Sequence, residues 1–218
     1  MVKDSTLATA ATPSKDRREQ EKLATREKIL DAAREMFNEN GVEATTMRAI
    51  ADRIGYTATA IYYHFKDKDA LLLELCHCDF GQLARILSQA GALPDPIDRI
   101  RAIGMAYVDF GLTNPSQYKF MFLTESRSVT PEEVHLHKGN PEEDAYAFLV
   151  STVKEALAQG RFRAEYTDPI AIANILWSSV HGVTALYMTK KHDAWVEFGD
   201  PRQLAAMMID VTTRGLTT

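Results

Sequence analysis

Residues 46–68, TMRAIADRIGYTATAIYYHFKDK, predict two short helices joined by a glycine turn, and they determine how the N-terminal part of the chain folds. Thr45 or Thr46 can cap the first helix, because a threonine hydroxyl accepts a hydrogen bond from a free amide of the first turn. Gly55 then ends that helix, since glycine adopts the left-handed conformation without a steric penalty. Thr57 offers a cap for the second helix two residues later.

Both predicted helices carry an apolar face. Ile50, Ala51 and Ile54 recur at helical spacing in the first helix. Ile61 and Phe65 lie four residues apart in the second, so they share a buried face. The opposite face of the second helix is then directed outward. A helix-turn-helix with an exposed second helix is the arrangement that places a recognition helix in the major groove of DNA.

The outward face of the second helix is rich in side chains that donate hydrogen bonds to phosphate. Tyr62, Tyr63 and His64 lie on it, and Lys66 and Lys68 follow. Contacts of this kind position a protein on the duplex without reading its sequence. The alternative is that the aromatic side chains pack between helices, and Tyr62 is able to do both.

Base reading is assigned to the start of the recognition helix. Thr57, Ala58 and Thr59 present methyl groups that suit thymine and hydroxyls that suit base edges. Arg48, on the preceding helix, could reach a guanine or a phosphate. Thr46 completes the set of candidate DNA-contacting residues.

The same stretch resembles the signature of the TetR family of bacterial transcriptional regulators. That signature has the form T-x-R-x-I-A-x-x-x-G, a short turn, and Y-Y-H-F-x-x-K. The matching residues here are Thr46, Arg48, Ile50, Ala51, Gly55, Tyr62, Tyr63, His64, Phe65 and Lys68. The chain departs from the family at Tyr56, where a small aliphatic residue is common, and at Ala60, where glycine or threonine is frequent. Both departures bear on base preference and leave the motif in place.

Charge is divided unevenly along the chain. The net charge of the 218 residues is −5, but the first 68 residues hold 12 basic and 11 acidic side chains, and the remainder hold 13 and 19. The helix-turn-helix end is therefore mildly basic, so DNA binding is expected to need two copies and a modest number of phosphate contacts. The acidic remainder is expected to face away from the duplex.

Other features favour a cytoplasmic protein. Cys76 and Cys78 point in nearly opposite directions at about 100° per residue of helix, so they cannot bridge each other, which fits a reducing compartment. The polar N-terminus lacks the apolar region of a signal peptide. Residues 170–188 are the best candidate for a membrane span, but polar side chains such as Asn174 and His181 interrupt them, which favours a buried helix.

Prolines and glycines divide the chain into helices. Residues 1–20 are predicted to be a disordered arm, 21–67 the three-helix DNA-binding head, and 68–218 a larger helical domain. Six prolines follow a capping residue, which predicts helix starts near 96, 115, 131, 141, 169 and 201. Asp67 caps a fourth helix that leaves the head. The chain is predicted to be all-α, with nine main helices and a short one near 131–138.

The larger domain concentrates aromatic and methionine side chains, which line adaptable pockets as readily as they fill cores. The family resemblance implies that a small effector binds there, in an apolar pocket with a few polar groups. The candidate ligand-contacting residues are Met105, Phe110, Phe122, Tyr146, Trp177 and His181. Trp177, His181 and Gly182 form a W-x-x-x-H-G pattern that resembles a C-terminal domain type named for those letters. His181 either bonds an effector or is satisfied by a neighbour, and Gly182 permits a close helix approach.

The last two predicted helices, about 169–190 and 201–216, are expected to form a homodimer seam, as such helices do in the family. Their apolar positions are Ile175, Val183, Leu186, Leu204, Met208 and Ile209. One recognition helix reads few base pairs, whereas a two-fold pair reads a palindrome with half-sites about 34–36 Å or more apart. The chain is thus predicted to be a repressor that a small, largely apolar effector releases from a palindromic, double-stranded operator.

Three other functions stay open. An enzyme would need His77 with Cys76 and Cys78, His135 with His137, or His181. Side chains at i and i+2 on a helix diverge, however, and no H-E-x-x-H, G-x-S-x-G or phosphate-binding glycine loop occurs. The prediction is therefore a non-enzyme without a cofactor or metal site. A metal-responsive regulator would use His135 and His137, and an effector-independent DNA-binding organiser would lack a cavity.

Overall fold

The computed structural model of the protein describes residues 13–125, 133 and 138–218. These residues form nine α-helices and one isolated antiparallel bridge between Phe162 and Thr217. The helices are α1 (Pro13–Asn40), α2 (Met47–Arg53), α3 (Ala58–His64), α4 (Lys68–Ser88), α5 (Pro96–Thr113), α6 (Pro115–Phe122), α7 (Ala145–Ala158), α8 (Pro169–Lys190) and α9 (Pro201–Leu216). A 3₁₀ turn, Gln89–Ala92, extends α4. The predicted all-α fold is confirmed.

Aspartate caps and first-turn prolines set most helix starts. Prolines open α5, α6, α8 and α9, where the missing amide would have no partner within the helix. The carboxylates of Asp95, Asp168 and Asp200 accept hydrogen bonds from first-turn amides of three of these helices. Asp67 caps α4 in the same way, with Oδ1 accepting from the Ala70 amide at 2.8 Å. These five starts are where the sequence predicted them.

The predicted helix start near residue 141 is wrong, because α7 begins four residues later at Ala145. The Asn140 carboxamide accepts from the Glu142 amide at 3.2 Å, which forms a side-chain turn around Pro141. Asp144 is the true cap and accepts from two first-turn amides, each at 3.0 Å. The helix start near 131 and the short helix near 131–138 fall largely outside the described residues.

The N-terminal arm also differs from the prediction. Helix α1 begins at Pro13, so residues 13–20 are helical rather than part of the predicted disordered arm. The stretch contains no glycine or internal proline, and Arg17 pairs with Glu21 one turn later at 2.8 Å. Such i,i+4 pairs stabilise a polar helix modestly. Residues 1–12 lie outside the described residues.

Within the described residues, buried apolar side chains form two clusters. The head cluster joins α1, α2, α3 and the first half of α4, with Phe37, Ile50 and Leu71 at its centre. The second cluster joins α5, α7, α8 and α9. Phe120 of α6 belongs to the head cluster, and Met121 packs against both, so α6 connects the two.

Helix α8 is long and apolar enough to cross a membrane by length and composition alone. Here it packs against α5, α7 and α9, and Ile172, Leu176 and Val183 lie in their shared core. The two cysteines do not form a disulfide: Cys76 is buried and Cys78 is half-buried.

Candidate DNA-binding surface and effector cavity

Threonine caps fix both helices of the helix-turn-helix. Thr46 Oγ1 accepts from the Ala49 amide at 3.1 Å and begins α2, and Thr57 Oγ1 accepts from the Ala60 amide at 3.2 Å and begins α3. Each hydroxyl keeps its proton and can still donate outward. Thr45, the alternative cap, is buried instead and donates to the Gly41 carbonyl at 2.8 Å.

Gly55 sets the angle between α2 and α3. Its φ of 72° lies in the left-handed region that favours glycine. The Gly55 amide donates to the Asp52 carbonyl at 3.3 Å, and the Tyr56 amide donates to the Ala51 carbonyl at 2.9 Å. This pair of bonds is the Schellman arrangement at the end of a helix. The turn therefore fixes the direction of the chain from α2 into α3, and the buried Ile61 and Phe65 pack α3 against the head.

The outer face of α3 is exposed, as the sequence predicted. The side chains of Tyr62 and Tyr63 are 52% and 73% exposed, whereas Ile61 and Phe65 are buried. The alternative, in which the tyrosines pack inside the subunit, is therefore wrong. Thr57 and Thr59 are also exposed on α3, and Ala58 is half-buried.

Two basic side chains extend the surface on either side of α3. The side chain of Arg48 on α2 is 86% exposed and lies 4.0 Å from Asp52. The Lys66 side chain is 90% exposed and its Nζ lies 3.9 Å from the Asp67 carboxylate. Neither ion pair restrains its cation strongly at such exposure. Both side chains are exposed, and their contacts with DNA stay a prediction.

Lys68 and His64 are more constrained than the sequence suggested. Lys68 Nζ donates to the carbonyls of Val42 and Glu43 at 2.9 and 3.3 Å, so it ties α4 to the loop after α1. One of its three N–H groups remains for a phosphate. His64 Nδ1 is buried and has no hydrogen-bond partner among the described residues. Burial, followed by the charges of Arg26 and Lys22, lowers the pKa of His64.

A cavity of about 300 Å³ lies in the C-terminal domain between α4, α5, α7 and α8. Its wall is mostly aliphatic and aromatic, with polar groups near one side. The lining residues include Phe80, Leu83, Leu87, Ile100, Ile103, Gly104, Tyr107, Phe122, Tyr146, Leu149, Leu176, Trp177, Val180 and Ile209. Lys138, Glu143, Asp144 and Ser179 supply the polar part of the lining.

Three of the six predicted ligand-contacting residues, Phe122, Tyr146 and Trp177, line this cavity. Met105 and Phe110 do not, and the expectation for them is corrected. Met105 follows Gly104, so it points about 100° around α5 from the cavity. Phe110 lies one turn beyond Tyr107 and is buried in the core.

Sequence reasoning missed the contribution of α4 to the cavity. Phe80, Leu83 and Leu87 recur at i, i+3 and i+7, which is a signal for one apolar helix face. The pattern alone does not say whether such a face meets a core or an open space, because the gap depends on which helices pack opposite.

His181 is held by two tyrosines beside the cavity. Its Nδ1 lies 2.9 Å from the hydroxyl oxygens of both Tyr107 and Tyr118, and these oxygens are 3.4 Å apart. Burial lowers the pKa of His181. Burial also raises the pKa of Tyr118 to about 12 and that of Tyr107 further. The cluster therefore favours a neutral imidazole that accepts from a phenol, so His181 has the neighbours expected of a structural histidine.

Gly182 does not fill the predicted role of a close-packing glycine within the subunit. A Cβ added there would meet no atom within 4 Å. Gly104 and Gly111 do fill such a role on α5. A Cβ at Gly111 would lie 2.6 Å from Thr184 Cγ2, so α5 and α8 touch at this position.

Helices α4 and α6 connect the cavity to the head. Arg34 of α1 makes a bidentate ion pair with Asp79 of α4, both at 2.9 Å, and Asp79 is fully buried. Phe122 lines the cavity at one end of α6, and Phe120 stacks on Phe37 of the head with ring centroids 6.0 Å apart. A displacement of α4 or α6 would therefore shift the residues of α1 that these helices contact.

The predicted seam residues divide into two groups. Ile175, Leu186, Leu204 and Met208 are exposed on α8 and α9, as a seam requires. Val183 and Ile209 are buried in the subunit core, so their assignment to the seam is corrected. Helical rotation explains this, because the core face and the outer face alternate along each helix. The exposed set also includes Met207 and Val211, which are 66% and 67% exposed.

Among the described residues, no group of three His, Cys, Asp or Glu side chains is placed to hold a metal ion. His135 and His137, the predicted ligands of a metal-responsive regulator, lie outside the described residues.

Two family models match the chain along most of its length. Residues 29–75 match the model described as "Bacterial regulatory proteins, tetR family", and residues 100–212 match the model described as "Tetracyclin repressor-like, C-terminal domain". The protein belongs to the TetR family of bacterial regulatory proteins. The resemblance of Trp177, His181 and Gly182 to a domain type named for those letters stays a prediction, because the C-terminal match carries another description.

Several relatives of this TetR-family protein are transcriptional repressors. Rv1474c of Mycobacterium tuberculosis is 40% identical over 70 residues, which are 32% of this chain and 37% of that repressor. KstR2 of Mycolicibacterium smegmatis is 26% identical over 164 residues, or 71% of this chain and 77% of that repressor. The chain thus spans little more than a third of the length of the first relative and about three quarters of the second.

A solved structure with a similar fold is SmeT, the repressor of the Stenotrophomonas maltophilia multidrug efflux pump SmeDEF. It is 27% identical, has a TM-score of 0.66, and covers 90% of this chain and 92% of its own. SmeT has also been solved as a complex with triclosan, which matches with a TM-score of 0.67 at 26% identity over 89% of this chain and 92% of its own.

Proposed function

We propose that the protein is a ligand-responsive transcriptional regulator, a repressor that a small, largely apolar effector releases from a palindromic operator. The observation that carries this proposal is the combination of two features in one chain: an outward-facing, threonine-capped α3 and an apolar cavity. Helices α4 and α6 connect the cavity to the head that contains α3. An effector-independent organiser would have no use for that cavity. The relatives Rv1474c and KstR2 are repressors, which supports repression rather than activation by this protein.

On DNA, α3 enters the major groove. Its first turn brings Thr57, Ala58 and Thr59 to base edges, where methyl and hydroxyl contacts select sequence. Tyr62 and Tyr63 donate to phosphates together with Arg48 and Lys66, which fixes the register of the helix. Thr46, His64 and the free N–H of Lys68 complete the phosphate contacts.

The effector is a compact molecule with a largely apolar body. A cavity near 300 Å³ is at the lower end of the usual size for small-molecule sites. The aromatic rings of Phe122, Tyr146 and Trp177 suit a flat or ring-containing ligand. Charged groups of the lining, Lys138 and Glu143 among them, are confined to one side, so any polar end of the ligand is directed there. The triclosan complex of SmeT is a precedent for such a ligand in this fold.

Release from DNA works through a shift between two conformations. The effector binds better to the conformation in which the recognition helices are wrongly spaced, and operator affinity falls by that difference in free energy. Phe80, Leu83 and Leu87 of α4 and Phe122 of α6 contact the cavity directly. Asp79 of α4 and Phe120 of α6 both contact α1. These two helices therefore transmit the conformational change from the cavity to the head.

The working unit is a cytoplasmic homodimer that pairs through α8 and α9. Both helices carry exposed apolar side chains, Ile175 and Leu186 on α8 and Leu204, Met207 and Val211 on α9. Apolar patches of this kind mark interaction sites. A two-fold pair is also what a palindromic operator requires.

The test uses the two tryptophans of the chain. Trp177 lines the cavity and Trp195 is 96% exposed, so Trp195→Phe leaves a cavity reporter. Titration of this variant with triclosan should quench or shift the Trp177 emission, and the same concentrations should reduce binding to a DNA site obtained by in vitro selection. An emission change without any effect on DNA binding would contradict effector-dependent release.

A further inference from the structure

We propose that the first three turns of α1 form a second DNA contact, in which Arg18 and Lys22 bind phosphates next to the contact made by Tyr63. This inference rests on the proposed DNA-binding function and extends it to a segment that lies outside the helix-turn-helix and before the matched family region, which begins at residue 29.

The beginning of α1 is not part of the core of the head. Ile29 is its first side chain in the head cluster, and residues 16–24 are all exposed. At about 1.5 Å per residue, the helix extends about 24 Å from Pro13 to Ile29. A polar helical extension of this length buries little, so packing within the subunit gives no reason for it.

The extension is nonetheless held beside the recognition helix. The Arg26 guanidinium donates to the His64 carbonyl at 3.0 Å, pairs with Glu74 at 3.0 Å and lies 4.3 Å from the centre of the Phe65 ring. One turn earlier, Lys22 Nζ lies 5.8 Å from the centre of the Tyr63 ring. These contacts orient the extension relative to α3.

Arg18, Lys22, Tyr63 and His64 line a common groove between the extension and the end of α3. The groove therefore combines two cations and an exposed phenol, with the His64 ring in its wall. Such donors bind an anion, and the continuity with Tyr63 indicates that the anion is the phosphate of the same duplex that α3 contacts.

The charges on the extension are sorted by face. Arg18 and Lys22 lie four residues apart and share a face. Arg17 points about 100° away from Arg18 and pairs with Glu21 at 2.8 Å, which neutralises one of the two acidic residues of the groove. Glu19 is the other, and it opposes an incoming phosphate.

The test is the salt dependence of binding to a DNA site obtained by selection with the native protein. Each phosphate contact lowers the slope of log affinity against log salt by about 0.9. The R18A/K22A variant should therefore reduce the slope magnitude by up to about 3.6 for a dimer. It should also lose the same fraction of its affinity for operator DNA and for non-operator DNA. E19Q should strengthen binding at low salt.

The matched control is K28A, which removes one exposed positive charge from the same helix at a residue that does not line the groove. K28A should leave the slope nearly unchanged, and circular dichroism should confirm that all variants keep their helix content. Operator binding by R18A/K22A with an unchanged slope, or an equal effect of K28A and R18A, would overturn this inference alone. Failure of the native protein to select any duplex would overturn the proposed function itself.

Discussion

At the scale of single residues, the half-buried His181 should make stability depend on pH. Because burial lowers its pKa in the folded protein, the unfolded chain binds a proton there at pH values at which the folded protein does not. This contribution to stability is fully present above about pH 6.5, the ordinary histidine pKa, and is lost as pH falls through the lower pKa of the folded state. The pKa of His64 is also lowered, so His64 changes stability with pH in the same direction.

Urea unfolding between pH 5 and 7.5 should therefore show a smaller loss of stability on acidification for His181→Gln than for the native protein. Glutamine retains a hydrogen-bond acceptor for the tyrosines but does not titrate. The control is His192→Gln, since His192 is exposed in the loop after α8. An equal pH dependence in H181Q and the native protein would contradict a lowered pKa of His181 in the folded state.

Glycine substitutions should separate close packing from open space. A Cβ at Gly111 would lie 2.6 Å from Thr184 Cγ2 and 3.0 Å from the Tyr118 ring, so Gly111→Ala should destabilise the protein by about 1–3 kcal/mol. Gly182→Ala adds the same methyl group where nothing lies within 4 Å, and should be neutral or slightly stabilising. Chemical denaturation measures both, and equal losses would contradict the packing of α5 against α8.

The sequence was informative about residues whose roles are local. Thr57, Gly55 and Asp67 act through amides and dihedral angles within a few positions, and all three do what their types predict. The partners of Lys68 and His181 are 26 and 74 residues away along the chain. Such pairings depend on how helices pack, so the pattern around either residue does not reveal them.

At the scale of helices, α6 should transmit the state of the cavity to the head. Asn38 of α1 donates to the Ser116 carbonyl at 2.8 Å and accepts from the Thr124 hydroxyl at 2.7 Å, so it joins α1 to both ends of the α6 region. Asn38→Ala removes both bonds and leaves the cavity wall intact. The variant should bind effector normally but require more effector for release from DNA.

The measurement is operator binding at increasing triclosan concentration, with Trp177 emission reporting occupancy of the cavity. Asn40→Ala is the control, because Asn40 is exposed two residues further along α1. If N38A were released from DNA at the same occupancy as N40A, this contact would not be part of the coupling.

Helix boundaries were predictable where a strong cap met a proline, as at Asp95, Asp168 and Asp200. They were not predictable where two capping signals lay close together. Asn140 and Asp144 both qualify as caps, and the preference of the Asn140 side chain for a local turn leaves Asp144 to begin α7. The helical conformation of residues 13–20 was missed because their polar composition was taken to indicate disorder. A polar segment without helix-breaking residues can still be helical.

At the scale of the whole molecule, the exposed face of α8 and α9 should hold two copies together. Met207 and Val211 lie four residues apart on α9, and both are about two-thirds exposed. Met207→Glu with Val211→Glu would place like charges across a two-fold interface and should yield monomers. Leu93→Glu, an exposed leucine in the α4–α5 connection, is the control.

Sedimentation should give a dimer for L93E and a monomer for the double variant, and the monomer should lose most of its operator affinity. A double variant that remains dimeric would place the interface elsewhere.

Predicting this surface from sequence was only partly possible. The apolar positions on α8 and α9 were evident, but the assignment of Val183 and Ile209 to the core required the packing against α5.

The existence of an effector cavity followed from family resemblance, whereas its size and wall did not. The cavity is a gap left between the packed helices α4, α5, α7 and α8, and the aromatic residues around it come from five helices, α4 to α8. A gap between helices is a property of their joint packing, so no single segment encodes it.

The proposed function requires that paired α3 helices read a two-fold DNA site and that Tyr63 anchors each of them on the backbone. In vitro selection of random duplexes with the native protein, followed by anisotropy titrations with Tyr63→Phe, measures both properties. We expect a two-fold symmetric consensus with half-sites about one helical turn or more apart, and a similar loss of affinity for consensus and random DNA in Y63F. Selection of an asymmetric site, or of none, together with unchanged binding by Y63F, would contradict it.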